Sequence, residues 1–197
     1  MTRIIAGSAR GRRLSVPEGD VTRPTSDRVR EALFSTVGSM TDLDGIAVLD
    51  LYAGSGGLGL EALSRGASRA TFVERDRRAL RCLRANIATT GVETAQVLAG
   101  DVLRVLSTAP PAPHDVVLLD PPYGLDPASV VDALRRAVER GWVADEAIVV
   151  CERPTRASEP SWPRGLERVA RRPYGETCLW YLRRFCEHDR SSPYDAS

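Results

Sequence analysis

Short apolar runs alternate with helical patterns over most of this chain of 197 residues. Runs of mostly aliphatic residues that are too short for typical helices indicate strands buried on both faces of a parallel sheet. Strands are predicted in this way at residues 46–51, 70–74, 95–102, 115–119 and 147–151, and two closing strands are predicted at residues 166–172 and 177–183. One helix is predicted at residues 77–90, where Gly91 ends it, and another is predicted at residues 128–140. The order predicts an α/β fold with a seven-stranded, mostly parallel, Rossmann-like sheet flanked by helices.

The chain before residue 41 follows another pattern. Two short apolar pieces, at residues 4–5 and 14–16, flank a glycine-containing stretch and predict a small hairpin. A helix through residues 28–35 follows, and either Thr25 or Ser26 can cap it. We therefore expect three segments: an N-terminal hairpin with a bridging helix at residues 1–40, an α/β domain at residues 41–186 and a polar tail at residues 187–197.

The strand at residues 115–119 stops abruptly at Asp120, and Pro121 and Pro122 have no N–H group with which a sheet ladder could continue. In an open α/β sheet, ligands bind beyond the carboxyl ends of the strands, where this loop falls. The Asp120 carboxylate and the Pro121 carbonyl can accept both N–H bonds of an exocyclic amine, and Tyr123 can stack on the attached ring. This proline loop, residues 120–124, suits methylation of a nucleobase amine, although an ordinary turn with a surface tyrosine has the same local sequence.

A glycine turn, residues 54–59, follows the first strand of the α/β pattern. Gly54, Gly56 and Gly59 have the spacing G-x-G-x-x-G between a predicted strand and a predicted helix. Glu74 ends the next strand twenty residues after Gly54, at the position of a ribose-binding carboxylate. Asp101 lies near the end of the third strand in the same way. The pattern predicts a nucleotide-containing ligand at the carboxyl edge of the sheet.

Overall charge does not predict a nucleic-acid partner, because the formal net charge is only +1. All 27 basic residues are arginine, so any phosphate-binding surface must be built from guanidinium groups. Four arginines near the N-terminus form either an RNA-backbone clamp, if the substrate is polyanionic, or part of a solvated terminus: Arg3, Arg10, Arg12 and Arg13. Arg23 and Thr25 lie either at the mouth of the site or in a packing segment.

Cysteine and histidine usage favours neither a zinc site nor a disulfide framework. The four cysteines, Cys82, Cys151, Cys178 and Cys186, form no C-x-x-C pair, and the chain contains two histidines. Reduced thiols in a cytoplasmic protein are therefore expected. The first residues contain no long apolar core, so we expect no signal peptide, and no stretch has the apolar length of a membrane span.

The alternating pattern with acids at three strand ends resembles the class I S-adenosylmethionine-dependent methyltransferases over residues 46–184. The proline loop matches their [N/D/S]-P-P-[Y/F/W] motif for amine acceptors, and Tyr123 corresponds to its stacking aromatic residue. The resemblance implies S-adenosylmethionine as cofactor and no metal, since the sulfonium already activates the methyl group. It also implies that Glu74 holds the ribose, and that Asp101 and Val102 face the adenine. The implied cofactor residues are Asp50, Tyr52, Gly54, Ser55, Gly56, Gly59, Glu74, Arg75, Asp101 and Val102.

A closer resemblance connects motifs in order along nearly the whole chain, at residues 3–7, 23–25, 30–34, 50–56 and 174–177. Together they are similar to the bacterial RsmD family of 16S rRNA guanine-N2 methyltransferases. The resemblance implies methylation of a guanine of the guanine-966 type, in the small ribosomal subunit or its assembly intermediate, by a cytoplasmic monomer. The base would be extruded into the pocket. Asp120, Pro121, Pro122 and Tyr123 would then be the catalytic set, and the six N-terminal residues from Arg3 to Thr25 named above would bind RNA.

Other functions share parts of this pattern. A DNA adenine-N6 methyltransferase has the same proline loop but usually carries a separate target-reading domain, for which the 73 residues after Gly124 leave little material. A protein-glutamine methyltransferase usually begins this loop with asparagine. A nicotinamide-dependent dehydrogenase shares the glycine turn but has no use for the proline loop. A catalytically silent binding module would not need Asp120 and Tyr123 intact.

Overall fold

The apolar runs predicted as strands lie in one sheet of the computed structural model, which describes residues 2–17, 26–122 and 124–185. The strands are β1 (Thr2–Arg3), β2 (Arg13–Leu14), β3 (Ala47–Leu51), β4 (Arg69–Glu74), β5 (Ala95–Ala99), β6 (His114–Leu119), β7 (Val143–Pro154), β8 (Leu166–Tyr174) and β9 (Thr177–Arg184). The helices are α1 (Asp27–Met40), α2 (Gly57–Ser64), α3 (Arg77–Thr90), α4 (Val102–Val105) and α5 (Pro127–Glu139). The predictions for Arg23, Thr25, Tyr123 and residues 187–197 fall outside the described residues.

Seven strands form the large sheet in the order β5-β4-β3-β6-β7-β9-β8. Neighbouring strands from β5 to β7 are parallel, whereas β9 runs antiparallel to both β7 and β8. β1 and β2 pair separately as a small antiparallel sheet. The carboxyl ends of the parallel strands therefore meet at one edge, with β3 and β6 side by side. The predicted fold class, including the N-terminal hairpin, is confirmed.

The central strands are buried on both faces, as their unbroken apolar runs predict. Alternate residues of β3 join opposite cores. Val48 packs in the core that contains α1, α2, α3 and the N-terminal hairpin, while Leu49 packs in the core that contains α4 and α5. Helices thus cover the two faces of the sheet, and its carboxyl edge is where a ligand can approach.

The strand predicted at residues 95–102 is shorter than expected. It ends at Ala99, and Val102 belongs to α4 instead. The Asp101 carboxylate accepts hydrogen bonds from the N–H groups of Leu103 (3.0 Å) and Arg104 (3.4 Å), and so caps this helix. An aspartate that satisfies helical N–H groups ends the extended conformation locally.

Two other boundaries also differ from the prediction. β7 begins at Val143 and continues past Cys151 to Pro154, which pairs with Thr177 of β9, so it is longer than the strand predicted at residues 147–151. α1 extends to Met40, and its N-cap is Ser26, whose side chain accepts a hydrogen bond from the Val29 N–H group. Long-range pairing and packing extend both elements beyond their local sequence signals.

Buried polar side chains of α2 hold the N-terminal segment on the core. Glu61 is 0% exposed and accepts hydrogen bonds from the N–H groups of Ile5 (2.7 Å) and Ala6 (3.0 Å). The Ser64 hydroxyl donates to the Ala6 carbonyl (2.5 Å) and accepts from the Ala9 N–H group (2.9 Å). Because buried carboxylates are costly without such partners, Glu61 requires the segment as much as the segment requires Glu61.

No helix within the described parts of the chain has the length and apolarity needed to cross a bilayer.

The tight contact between the N-terminal segment and α2 predicts a large difference between two glycine substitutions. Gly7 and Gly11 both have left-handed φ, +83° and +82°. A Cβ on Gly7 would lie 1.6 Å from the Ser64 carbonyl oxygen, whereas a Cβ on Gly11 would meet nothing within 4 Å. Gly11→Ala should lower the free energy of unfolding by about 1–2 kcal/mol, the cost of the backbone conformation. Gly7→Ala should lower it by more than about 4 kcal/mol, measured by urea denaturation. Equal losses of stability would contradict the contact.

Candidate active site

A cleft of about 790 Å³ opens at the carboxyl edge of the sheet, where β3, β4 and β6 end. The predicted site residues that line it are Asp50, Tyr52, Gly54, Ser55, Glu74, Arg75, Asp101, Val102, Asp120, Pro121 and Pro122. The structure therefore brings the glycine turn and the described part of the proline loop into one cleft.

Gly56 and Gly59 shape the glycine turn without lining the cleft. A Cβ on Gly59 would lie 2.4 Å from Cε1 of Phe72, so only glycine lets α2 approach β4 this closely. Gly56 has a φ of +87°, and a Cβ there would lie 2.5 Å from Cδ1 of Leu83. The Gly59 N–H group donates to Oδ2 of Asp50 (2.8 Å), which fixes the start of α2 to the end of β3.

Glu74 ties the glycine turn to the end of β4. Its Oε2 accepts a hydrogen bond from the Gly54 N–H group (2.8 Å). Its Oε1 accepts from the N–H groups of Arg75 and Asp76, both at 2.7 Å. A carboxylate offers about four acceptor sites, so Glu74 retains capacity for a ligand hydroxyl while it holds the turn.

Asp50 lies under the cleft in an environment that disfavours its charge. The residue is 1% exposed, and burial raises the pKa of its carboxyl group to about 7. The hydrogen bond from Gly59 opposes this rise, and the nearby charge of Glu74 adds to it. Asp50 therefore changes charge near neutral pH, where a bound cation would favour its ionised form.

Asp101 and Tyr52 form another wall of the cleft. Besides capping α4, Asp101 pairs through Oδ2 with Nη1 of Arg75 at 3.2 Å. Tyr52 has a φ of 60°, which is unusual for a residue with a side chain and is typical of functional turns. Burial, together with the charge of Asp101, raises the pKa of Tyr52 to about 12, so its phenol stays protonated at neutral pH.

The proline loop enters the cleft directly from β6. Leu119, the last residue of β6, pairs with Leu51 of β3, so Asp120 emerges beside the glycine turn. Pro121 is buried, whereas Asp120 is half-buried and Pro122 is exposed. The Asp120 carboxylate therefore lies at a boundary between the protein core and the open cleft, while the stacking role of Tyr123 stays a prediction.

The N-terminal arginines do not line the cleft. Ser8 of the hairpin donates its N–H to the carbonyl of Ser64, the last residue of α2, at 2.8 Å. The hairpin tip thus rests at the end of α2 opposite the cleft. There Arg12 donates to the Thr89 carbonyl, while Arg10 and Arg13 are exposed. Arg3 is exposed as well and pairs with Asp27 at 3.2 Å. Their proposed contact with RNA would lie outside the cleft.

Several cleft residues escaped sequence interpretation. They include Thr2, Val16, Pro17, Arg30, Leu58, Leu103, Leu125 and Ser129. Val16 and Pro17 come from the stretch that follows the hairpin, so the N-terminal segment contributes a wall. The available signal for Arg30 was its place beside Val29 and Leu33 on a packing helix, since a charge next to an apolar stripe needs partners.

Asn86 is a further residue that sequence interpretation missed. It lies in α3 and is 1% exposed. Its Oδ1 accepts from the Ser15 N–H group (2.8 Å), and its Nδ2 donates to the carbonyls of Ser15 and Ser55, both at 2.9 Å. Asn86 thereby joins the N-terminal segment to the glycine turn. Its position between Leu83 and Ile87 on the apolar face of the predicted helix was the available signal.

Comparison with known proteins gives consistent results. The profile of the family described as conserved hypothetical protein 95 matches residues 2–183. The ribosomal RNA small subunit methyltransferase D of Escherichia coli K12 is 39% identical over 163 residues, which cover 82% of this chain and 79% of that protein. The protein of the same name from Haemophilus influenzae is 40% identical over 153 residues, or 76% of this chain and 77% of that protein.

A solved Escherichia coli structure, yhhF, whose description proposes a methyltransferase, has the same fold. It superposes with a TM-score of 0.81 at 36% identity and covers 93% of this chain and 97% of that chain. The expected resemblance is confirmed: the chain belongs to the family described as conserved hypothetical protein 95, together with the ribosomal RNA small subunit methyltransferase D proteins.

Proposed function

We propose that this protein transfers a methyl group from S-adenosylmethionine to the exocyclic N2 amine of a guanine in 16S rRNA. The substrate would be the small ribosomal subunit or its assembly intermediate, and the enzyme would act as a cytoplasmic monomer. The names of the relatives support ribosomal RNA as the acceptor. The observation that carries the proposal is the shared cleft, in which Asp120, Pro121 and Pro122 lie with Gly54 and Glu74.

The cleft suits this cofactor in size and in chemistry. Its volume of about 790 Å³ lies within the range of small-molecule sites. Asp50, Glu74 and Asp101 line it with carboxyl groups, which suit a positively charged ligand that also carries ribose hydroxyls. Glu74 would hold the ribose, Asp101 and Val102 would contact the adenine, and the glycine turn would hold the methionine part. When bound, S-adenosylmethionine supplies a methyl group activated by positively charged sulfur.

The proline loop would orient the acceptor. A nucleobase amine is a weak nucleophile because its lone pair is delocalised into the ring. The Asp120 carboxylate and the Pro121 carbonyl would accept its two N–H bonds and favour a pyramidal nitrogen, on which the lone pair is localised. Because Pro121 and Pro122 lack N–H groups, these two residues add no backbone donor that could compete with the amine. Alignment of the amine would supply most of the rate increase.

The proposal is tested by locating the transferred methyl group. The enzyme is incubated with methyl-labelled cofactor and, in separate reactions, small subunits, naked 16S rRNA or DNA. Digestion and mass spectrometry should find N2-methylguanosine in RNA and no label in DNA. Label in DNA adenine would instead favour the DNA methyltransferase alternative, and absence of transfer to every substrate would contradict catalysis.

Asp120→Ala should abolish turnover while it leaves cofactor affinity nearly unchanged, because the proposed role of Asp120 is to bind the amine of the acceptor base and not the cofactor. We expect the rate of methyl transfer to fall by at least about a hundredfold. Single-turnover kinetics and titration with S-adenosylhomocysteine measure the two properties separately. Asp120→Asn, which keeps the shape and one acceptor, should lose less activity than Asp120→Ala. A parallel loss of cofactor affinity would argue against this role.

The raised pKa of Asp50 predicts a pH dependence of cofactor binding. Below a pH of about 7 Asp50 is largely protonated in the free protein, so a cationic ligand must displace a proton as it binds. The affinity for S-adenosylmethionine should therefore rise with pH and level off above about 7. S-adenosylhomocysteine has the same amino group but no sulfonium charge. The affinity of the protein for it should therefore rise less with pH than the affinity for S-adenosylmethionine. In Asp50→Asn, calorimetry should find the same pH dependence for the two ligands; a persisting difference would reject the assignment.

The N-terminal arginines predict a salt-dependent RNA interaction. Changing Arg10 and Arg13 together to glutamine should weaken RNA binding and lower the slope of log affinity against log salt by about 0.7–0.9 for each phosphate that is no longer neutralised. Cofactor affinity should not change. The matched control changes Arg135 and Arg140 of the α5 region to glutamine. If both double variants bind RNA like the wild type, the hairpin has no such role.

A further inference from the structure

We propose that Arg30 binds the carboxylate of the amino-acid end of the cofactor, an inference that rests on the proposed use of S-adenosylmethionine. Arg30 lies on α1, outside the α/β motif that the family resemblance connects with the cofactor. Its side chain is only 2% exposed, yet it lines the cleft together with Asp50, Ser55 and Gly57. A buried guanidinium group at a ligand cleft is a natural partner for a carboxylate.

The hydrogen bonds of Arg30 leave part of its guanidinium group available. Nη2 donates to the Arg3 carbonyl (2.5 Å) and to Oδ1 of Asp27 (2.9 Å). Nε lies 3.8 Å from Oε2 of Glu61, and within the described part of the chain this buried atom has no hydrogen-bond acceptor. Since a guanidinium group carries five N–H donors, Arg30 can accommodate another anion.

The charges around Arg30 also favour an added anion. Three guanidinium groups, of Arg3, Arg30 and Arg65, surround two carboxylates, of Asp27 and Glu61. Burial lowers the pKa of Arg30, and the two carboxylates oppose that effect. The five groups together carry one net positive charge, and Arg30, which is almost completely buried, is the member of the group that lines the cleft. A ligand carboxylate would neutralise this charge.

The start of α2 provides a second source of positive potential at the same place. Gly57 is the first residue of α2, and a Cβ on it would lie 3.2 Å from Nη1 of Arg30. The guanidinium group thus rests against a helix N-terminus, which attracts anions through its free N–H groups. This corner adjoins the glycine turn, where the methionine part of the cofactor would lie. The carboxylate of that part fits here better than an RNA phosphate, which would have to enter the cleft with its chain.

The test compares S-adenosylmethionine with decarboxylated S-adenosylmethionine, which lacks only the carboxylate. Calorimetry on the wild type should find S-adenosylmethionine bound about tenfold to a hundredfold more tightly. Arg30→Met should remove this preference by weakening the binding of S-adenosylmethionine alone. Arg65→Met is the matched control, because Arg65 also pairs with Glu61 but does not line the cleft, and it should keep the preference.

A second variant covers the case in which Arg30→Met does not fold. Gly57→Ala leaves every ion pair of Arg30 in place but presses a methyl group against Nη1, and it should reduce the preference several-fold. Equal weakening of both ligands in the variants would assign Arg30 a purely structural role and overturn the inference. A retained preference with weaker RNA binding would overturn it in favour of a phosphate contact. If the wild type bound neither ligand, the proposed cofactor itself would be wrong.

Discussion

Two carboxylates that bind backbone N–H groups hold the glycine turn, and the cleft depends on them. Asp50 fixes the Gly59 N–H group to the end of β3, and Glu74 fixes the Gly54 N–H group to the end of β4. The turn is thereby held against two neighbouring strands while its outer face stays open. Both side chains line the cleft, so the groups that build the turn also form part of the acidic lining of the site.

The same turn sets the direction of α2, and α2 in turn organises the N-terminal segment. Glu61 and Ser64 bind the backbone of residues 5–9, and Asn86 joins Ser15 to Ser55 across the glycine turn. As a result, Val16 and Pro17 reach the cleft while the hairpin tip lies at the far end of α2. The segment that looks like an appendage in the sequence therefore helps to form the site. Buried polar contacts of this kind also fix one arrangement, because each missing partner leaves a desolvated group.

Local signals predicted most of the sheet and the centre of the site. Unbroken aliphatic runs identified the buried strands, and the glycine spacing and the paired prolines marked the two turns that meet in the cleft. What local signals could not supply were the partners of buried polar residues. The role of Arg30 depends on Glu61, and that of Asn86 on Ser15, which are distant in the sequence. The extension of β7 to Pro154 depends on pairing with β9, and Asp101 combines capping of α4 with its place in the cleft.

Mapping the cofactor by amide NMR tests the central claim most directly. On titration with S-adenosylhomocysteine, the largest shifts should fall on the backbone amides of Gly54, Ser55, Asp101 and Asp120, which line the cleft, with smaller shifts at Ser15 and Val16. Such a pattern would place the ligand between the glycine turn and the proline loop. Shifts confined to another surface, such as the exposed face of α5, would contradict the account.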